Sequence, residues 1–176
     1  APAPQPRMSS DGLISPEDEK FSGFIFKIQA NMNPAHHDRL SFIRICSGKF
    51  ERGMSVYHMQ GGKAVKLSQP QQFLAQDRQI IDTAYPGDIV GLFDPGIFGI
   101  GDTLCMPSHK FKFADFPVFP PERFARVSAK DTMKRKQFVK GIMQLTQEGA
   151  VQLFQQAGAG MESYIVGTVG QLQFVY

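Results

Sequence analysis

The stretch that decides the fold reads Ala84-Tyr85-Pro86-Gly87-Asp88-Ile89-Val90-Gly91-Leu92-Phe93-Asp94-Pro95-Gly96 and closes with Ile100-Gly101-Asp102-Thr103-Leu104. Pro86-Gly87 and Asp94-Pro95-Gly96 are turn signals, and they enclose a short apolar run. Such a run is typical of a buried strand that ends in a tight reversal. The stretch therefore predicts the closing hairpin of an antiparallel β-barrel.

Short alternating segments on the N-terminal side of this stretch predict further strands. Residues 24–30 and 40–46 alternate between apolar and polar side chains, and Gly48, Gly53 and the pair Gly61-Gly62 separate them from the segments 54–59 and 64–67. Residues 21–105 show no helical periodicity. Short strands joined by glycine turns favour a closed antiparallel barrel, which has no exposed sheet edges. The fold class predicted for this part is therefore mainly β.

The segments on either side of the barrel differ from it in composition. Residues 1–20 contain four of the twelve prolines and an acidic cluster, so we expect a linker or an extended arm. Residues 106–121 contain four more prolines and four phenylalanines, which predicts a tether held in place by aromatic side chains. We expect separately folded units on the two sides of this tether.

Residues 122–176 predict a partial α+β unit. Asp131 suits the N-cap of a helix that runs to about Glu148, and Gly149 suits the position after its end. Phe138, Ile142 and Leu145 have the spacing of one buried helix face. With strands at 124–127, 151–155 and 164–169, the order βαββ matches the first part of a ferredoxin-like unit.

Composition limits the possible functions. Two cysteines, Cys46 and Cys105, are too few for a disulfide framework or a four-cysteine zinc site, so we expect two reduced thiols. No apolar run reaches the roughly 20 residues of a membrane span, and the N-terminus lacks a signal pattern, which predicts a soluble cytoplasmic protein. The net charge of +3 permits contact with a polyanion.

The residues that could carry chemistry are few. His36-His37-Asp38 could bind a metal or act as a base, but three adjacent residues do not converge on one point, so we favour a solvated loop and predict no metal site. Gly167-Thr168-Val169-Gly170 copies a nucleic-acid-clamping pattern, yet it ends a strand, so we interpret it as packing. No Ser/His/Asp, Cys/His or paired-carboxylate pattern is present, and we predict no catalytic residue.

Two groups of cations are candidates for contact with RNA phosphates. Arg39, Lys49 and Arg52 lie in predicted loops between strands, which would bring them to one rim of the barrel. Lys134, Arg135 and Lys136 lie on the predicted helix, within a basic group that more often forms a solvated face. We expect the rim to make the contact, and the helix is the alternative.

Motifs along nearly the whole chain resemble bacterial peptide chain release factor three, a family of translational GTPases. The motifs are Phe26-Lys27-Ile28-Gln29-Ala30-Asn31-Met32-Asn33-Pro34, Ser47-Gly48-Lys49, Ala84-Tyr85-Pro86-Gly87-Asp88-Ile89, Gly101-Asp102-Thr103, Lys140-Gly141, Glu148-Gly149-Ala150-Val151 and Leu172-Gln173-Phe174. The segment 31–39 favours this family over elongation factor G. One alternative is that the chain comprises the same domains of elongation factor G or of a ribosomal protection protein. A second alternative is an independent small ligand-binding barrel or enzyme.

The resemblance implies a fragment that covers the β-barrel called domain two (21–105) and part of domain three (122–176), with the GTPase domain absent. It implies a non-catalytic role in binding the ribosome, through small-subunit RNA and protein, and in coupling domain movements of a factor that recycles class-one release factors. GTP or GDP and Mg²⁺ would bind elsewhere in the parent protein, and no cofactor is expected here. Gly62-Lys63 does not match a phosphate loop, because Tyr57 and Ala64 replace the required glycine and hydroxyl.

Overall fold

The chain divides into two compact units. The computed structural model describes residues 3–30, 39–67, 71–74, 77–116, 119–154 and 163–174. Unit 1 comprises residues 1–116 and unit 2 comprises residues 117–176, so the division falls within the segment 106–121 that the sequence marks as a tether. None of the helices in the described ranges has the length and apolar character that a membrane span requires.

Unit 1 is built from antiparallel strands. They are β1 (Arg7–Ser9), β2 (Gly12–Ile14), β3 (Ser22–Ala30), β4 (Arg39–Ser47), β5 (Phe50–Glu51), β6 (Ser55–His58), β7 (Lys63–Lys66), β8 (Gln71–Leu74), β9 (Asp77–Ile80), β10 (Thr83–Ala84), β11 (Ile89–Asp94) and β12 (Thr103–Cys105). One sheet has the order β7-β6-β12-β3-β4-β11-β8-β9, β5 pairs with β10, and β1 pairs with β2. The predicted mainly β class is confirmed.

The pairing of β11 and β12 differs from the prediction. The stretch from Ala84 to Leu104 is not a hairpin, because β11 pairs with β4 and β12 pairs with β3, which places the β3–β4 hairpin between them. Turn signals locate strand ends but do not say which strands pair. The chain between β11 and β12 instead starts beside Arg39, at the end of the β3–β4 hairpin that adjoins residues 31–38, and returns along β3, where Gly101 N donates to Ile25 O at 2.7 Å.

The large sheet curls around one apolar core. Side chains from β3, β4, β6, β11 and β12 all contribute to a single buried cluster, whose fully buried members include Ile25, Ile43, Val56, Val90 and Leu104. A flat sheet could not bring its distant strands to one cluster, so the shared core shows barrel-type curvature. In β4 burial follows the period of two that the sequence predicts, whereas a register shift between Ile25 and Lys27 interrupts the alternation in β3.

The N-terminal residues are ordered on the outside of this barrel. β1 and β2 form a hairpin, and the guanidinium of Arg7 lies 4.0 Å from the ring centroid of Phe24 and 5.0 Å from that of Phe116. Ile14 joins Phe24, Phe111 and Phe113 in a second buried cluster. Within the segment 1–20, predicted as a linker or an extended arm, residues 7–14 thus form a packed hairpin, because distant phenylalanines supply the apolar surface that this segment lacks.

Unit 2 contains β13 (Arg123–Ser128), a 3₁₀ turn (Thr132–Lys134), α1 (Arg135–Gln147), β14 (Gln152–Phe154), β15 (Ser163–Thr168) and a second 3₁₀ turn (Gln171–Phe174). The sheet order is β13-β15-β14. This is the βαββ order predicted for an α+β unit, and the Asp131 carboxylate accepts from Met133 N at 2.9 Å at the predicted cap. The cap serves the 3₁₀ turn, and the α-helix begins one turn later.

Gly149 ends α1 as predicted. Its φ of 73° is in the left-handed region that favours glycine. Gly149 N donates to Thr146 O and Ala150 N donates to Leu145 O, both at 3.0 Å, which is the Schellman arrangement. Of the predicted buried face only Ile142 is buried, whereas Leu145 and Met143 are exposed.

Candidate nucleic-acid interface

Arg39 does not lie in an exposed loop. It is the first residue of β4, and its side chain is 9% exposed. Its Nη2 donates to Asp94 Oδ2 at 3.1 Å and to Phe98 O at 2.9 Å. The expectation that Arg39 presents a loop cation at the rim is therefore wrong, because its charge is neutralised by a fully buried carboxylate.

Lys49 and Arg52 lie in turns, as the sequence predicts, and both have acidic partners. Lys49 Nζ lies 3.1 Å from Glu51 Oε1, and Arg52 Nη1 lies 3.3 Å from Asp82 Oδ1. The hydrogen bond with Glu51 and then its charge raise the pKa of Lys49, so the ammonium stays protonated. Both pairs are exposed and can exchange partners, but each cation already has a neighbouring negative charge.

Lys134, Arg135 and Lys136 lie where the 3₁₀ turn passes into α1. All three side chains are exposed. Among the residues that the structure describes, neither Lys134 nor Lys136 has an ion-pair partner. The first turn of α1 contains no acidic residue. The structure thus brings these three cations together on one exposed turn, as their adjacency in sequence requires.

Formal charge is distributed unequally between the units. Residues 1–116 contain twelve Lys and Arg and twelve Asp and Glu, and therefore carry no net charge. Residues 117–176 contain seven Lys and Arg and four Asp and Glu. The whole net charge of +3 therefore belongs to unit 2.

The sequence did not indicate that Asp94 is a buried polar group, and its hydrogen bonds stabilise the fold. Asp94 Oδ1 accepts from Gly96 N at 2.8 Å and Ile97 N at 2.7 Å, while Oδ2 accepts from Ser41 Oγ at 2.8 Å and from Arg39. The Asp-Pro-Gly motif indicated a turn here, but no local signal identifies partners more than 50 residues away. Asp94 therefore joins the end of β11 to the start of β4.

His58 and Asp102 form a second buried polar pair. His58 Nε2 lies 2.6 Å from Asp102 Oδ2, and the imidazole side chain is 2% exposed. Asp102 Oδ2 also accepts from Gly99 N at 2.7 Å. A general base must reach a substrate proton, and this ring packs instead against Phe98. The pair ties β6 to the turn before β12.

The two cysteines are poor nucleophiles and poor metal ligands. Burial raises the pKa of the Cys46 thiol to about 11, against the opposing charges of Arg7 and Arg44. Burial also raises the pKa of Cys105. In the described ranges no three His, Cys, Asp or Glu side chains form a group able to hold a metal ion. The His36-His37-Asp38 motif lies outside the described residues.

The Gly62-Lys63 dipeptide does not form a nucleotide site. Gly62 has a φ of 64° and occupies the turn of the β6–β7 hairpin. A phosphate loop joins a strand to a helix, whose N-terminus and loop N–H groups bind the phosphates. Gly62-Lys63 therefore lies at a hairpin turn and not in a phosphate loop.

Two family models match the chain. The model for elongation factor G domain 2 matches residues 20–107, which include β3 to β12. The model for the class II release factor RF3, C-terminal domain, matches residues 113–175, which include all the described strands and helices of unit 2. The two matches therefore follow the two units.

Curated relatives match nearly the whole chain. It is 60% identical over 174 residues to the peptide chain release factor 3 of Symbiobacterium thermophilum, covering 99% of this chain and 33% of the relative. It is 56% identical to that of Listeria welshimeri over 174 residues, with the same coverage. For Levilactobacillus brevis the identity is 53% over 175 residues, again covering 99% and 33%.

The chain thus spans a third of the length of these relatives. Its barrel matches the second domain of elongation factor G, and its α+β unit matches a model specific to the release factor. The chain therefore belongs to the peptide chain release factor 3 family.

Proposed function

We propose that this chain is the non-catalytic, ribosome-binding part of a translational GTPase that recycles class-one peptide chain release factors at termination. Membership in the release factor 3 family supports a role in translation termination. The observation that carries the binding role is the exposed basic turn at Lys134, Arg135 and Lys136, in the unit that holds all of the net positive charge.

The basic turn lies at the start of a helix, where cations do not stabilise the helix. This position supports a role in binding. The N-terminus of a helix carries a partial positive charge, so a cation in the first turn destabilises the helix by about 0.3 to 1 kcal/mol. Lys134 and Lys136 oppose the dipole, and the Asp131 carboxylate before the 3₁₀ turn already accepts from Met133 N. Sites that violate a local stability rule are often functional. A nearby RNA phosphate would offset the unfavourable charge.

Neutralisation of phosphates supplies affinity that does not depend on RNA sequence. In this proposal the basic turn contacts ribosomal RNA, and the barrel connects it to the GTPase domain of the parent protein. GTP, GDP and Mg²⁺ bind in that domain, and this chain holds no cofactor. Small-subunit RNA and protein are the direct partners, class-one release factors are affected indirectly, and the cytoplasm is the place of action.

The basic turn can be tested by charge reversal. We expect the double variant Lys134→Glu and Lys136→Glu to bind ribosomes more weakly than the unchanged chain. If two phosphate contacts are lost, the slope of log affinity against log salt concentration flattens by about 1.4 to 1.8 units. Co-sedimentation with ribosomes across a salt series measures both quantities.

The double variant Lys49→Glu and Arg52→Glu is a matched control, because it changes the net charge by the same amount. Its cations already lie beside Glu51 and Asp82, so we expect nearly the same slope as the unchanged chain. A flattened slope in this control, with an unchanged slope in the helix variant, would place the contact on the barrel rim instead.

A further inference from the structure

One face of the unit 2 sheet carries two exposed aromatic rings. The ring centroids of Phe138 on α1 and Tyr164 on β15 lie 6.3 Å apart, which places the helix on the Tyr164 side of the sheet. Successive strand residues point to opposite faces, so Phe124, Phe154 and Ile165 lie on the other face. Phe124 is 59% exposed and Phe154 is 40% exposed.

Local packing holds these two rings together. Their centroids lie 5.7 Å apart with an interplanar angle of 61°. Gly167 lies on the central strand, β15. It pairs with Phe124 of β13 on one side and with Gln152 of β14 on the other. A Cβ atom at Gly167 would lie 2.8 Å from Pro121 Cβ and 2.9 Å from Phe154 Cε2, so the glycine lets both side chains lie close over the central strand. The pair is thus a defined feature of the surface.

The charges around the rings favour a polyanion. Arg126 lies on the same face as Phe124. By the same alternation Arg123, at the start of β13, lies on the helix side, and the exposed Lys130 follows the end of the strand. Glu122, directly before Arg123, and Asp131, directly after Lys130, are the acidic residues beside them in the sequence. Unit 2 as a whole has three more cations than anions. An aliphatic protein partner would not require this excess of positive charge.

We propose that this sheet face binds unpaired nucleotides of RNA by stacking bases on Phe124 and Phe154. Aromatic side chains accept the face of any base, and sheet-type RNA-binding domains present aromatic rings on an open sheet in the same way. Loss of one base–aromatic stack weakens binding by about 5- to 160-fold. The inference rests on the proposed function, since it adds base stacking to the phosphate contacts of the basic turn.

The test uses the full 176-residue chain and a short unstructured RNA that contains 2-aminopurine, a base whose fluorescence falls on stacking. The unchanged chain is expected to quench the fluorescence. The double variant Phe124→Ala and Phe154→Ala is expected to bind at least about 5-fold more weakly and to lose the quenching. Its salt slope should not change, because no phosphate contact is removed.

Two further variants make the result specific. Met133→Ala removes an apolar side chain that is 92% exposed and lies outside the sheet, so it should leave affinity and quenching unchanged. Phe124→Leu with Phe154→Leu keeps apolar volume but removes the rings, and this variant should also lose the quenching. Near-normal RNA affinity and quenching in the Leu variant would overturn the stacking proposal and indicate an apolar docking surface for a protein.

The outcomes also separate this inference from the proposed function. Salt-dependent RNA binding that the Phe variants leave unchanged would overturn the stacking alone. Absence of ribosome binding by the unchanged chain would overturn the proposed function. If the Ala variant loses the circular dichroism of the folded chain, the Leu variant decides, because it preserves the apolar area.

Discussion

Replacement of Asp94 by alanine is expected to lower the free energy of unfolding of unit 1 by about 3 to 5 kcal/mol. The Asp94 side chain is fully buried, and it accepts from Arg39, Ser41 and the backbone N–H groups of the following turn. Its removal leaves the guanidinium of Arg39, which is 9% exposed, without its counter-charge. An uncompensated buried charge and several lost hydrogen bonds together explain the size of the effect.

Urea denaturation followed by circular dichroism measures this change, and Asp82→Ala is the matched control. Asp82 pairs with Arg52 through side chains that are 81% and 53% exposed, so its loss should change stability by less than about 1 kcal/mol. Equal effects of the two substitutions would contradict the role given to Asp94. Asp94→Asn, which retains one carbonyl acceptor, should fall between the two.

Gly48→Ala is expected to destabilise unit 1 by more than about 2 kcal/mol. Gly48 has a φ of 64°, and a Cβ atom there would lie 2.5 Å from Phe21 N, 2.6 Å from Lys20 C and 2.7 Å from Glu19 O. All three are backbone atoms, which cannot turn away as a side chain would. The close approach also positions Gly48 N to donate to Asp18 O at 2.8 Å.

Gly62→Ala separates backbone strain from steric overlap as causes of the Gly48→Ala effect. Gly62 has the same φ of 64°, but a Cβ atom there would meet nothing within 4 Å. It should therefore show only the backbone strain of a left-handed alanine, about 1 to 2 kcal/mol. Thermal unfolding of both variants under one set of conditions gives the comparison. If Gly62→Ala proved as destabilising as Gly48→Ala, steric exclusion at Gly48 would be wrong.

These residues show which parts of the fold can be predicted from sequence. The period of two in residues 24–30 and 40–46 predicts β3 and β4, and Gly149 predicts the end of α1. Both signals are local, since they depend on burial of alternate residues or on one backbone conformation. Local signals are sufficient for elements of this kind.

Features that depend on distant residues were not predictable. The ordered hairpin at β1 and β2 depends on Phe113 and Phe116, which follow it by about a hundred residues. Arg39 looks like a loop cation until Asp94, 55 positions later, is placed beside it. Lys134, Arg135 and Lys136 are adjacent in the sequence, so their nearness does not depend on distant residues.

The measurement that tests the account most directly is the binding of the unchanged 176-residue chain to isolated ribosomal subunits, by co-sedimentation across a salt series. We expect tighter binding to the small subunit than to the large subunit, with an affinity that falls steeply as salt increases. Preference for the large subunit, or binding to the small subunit that salt does not weaken, would contradict it.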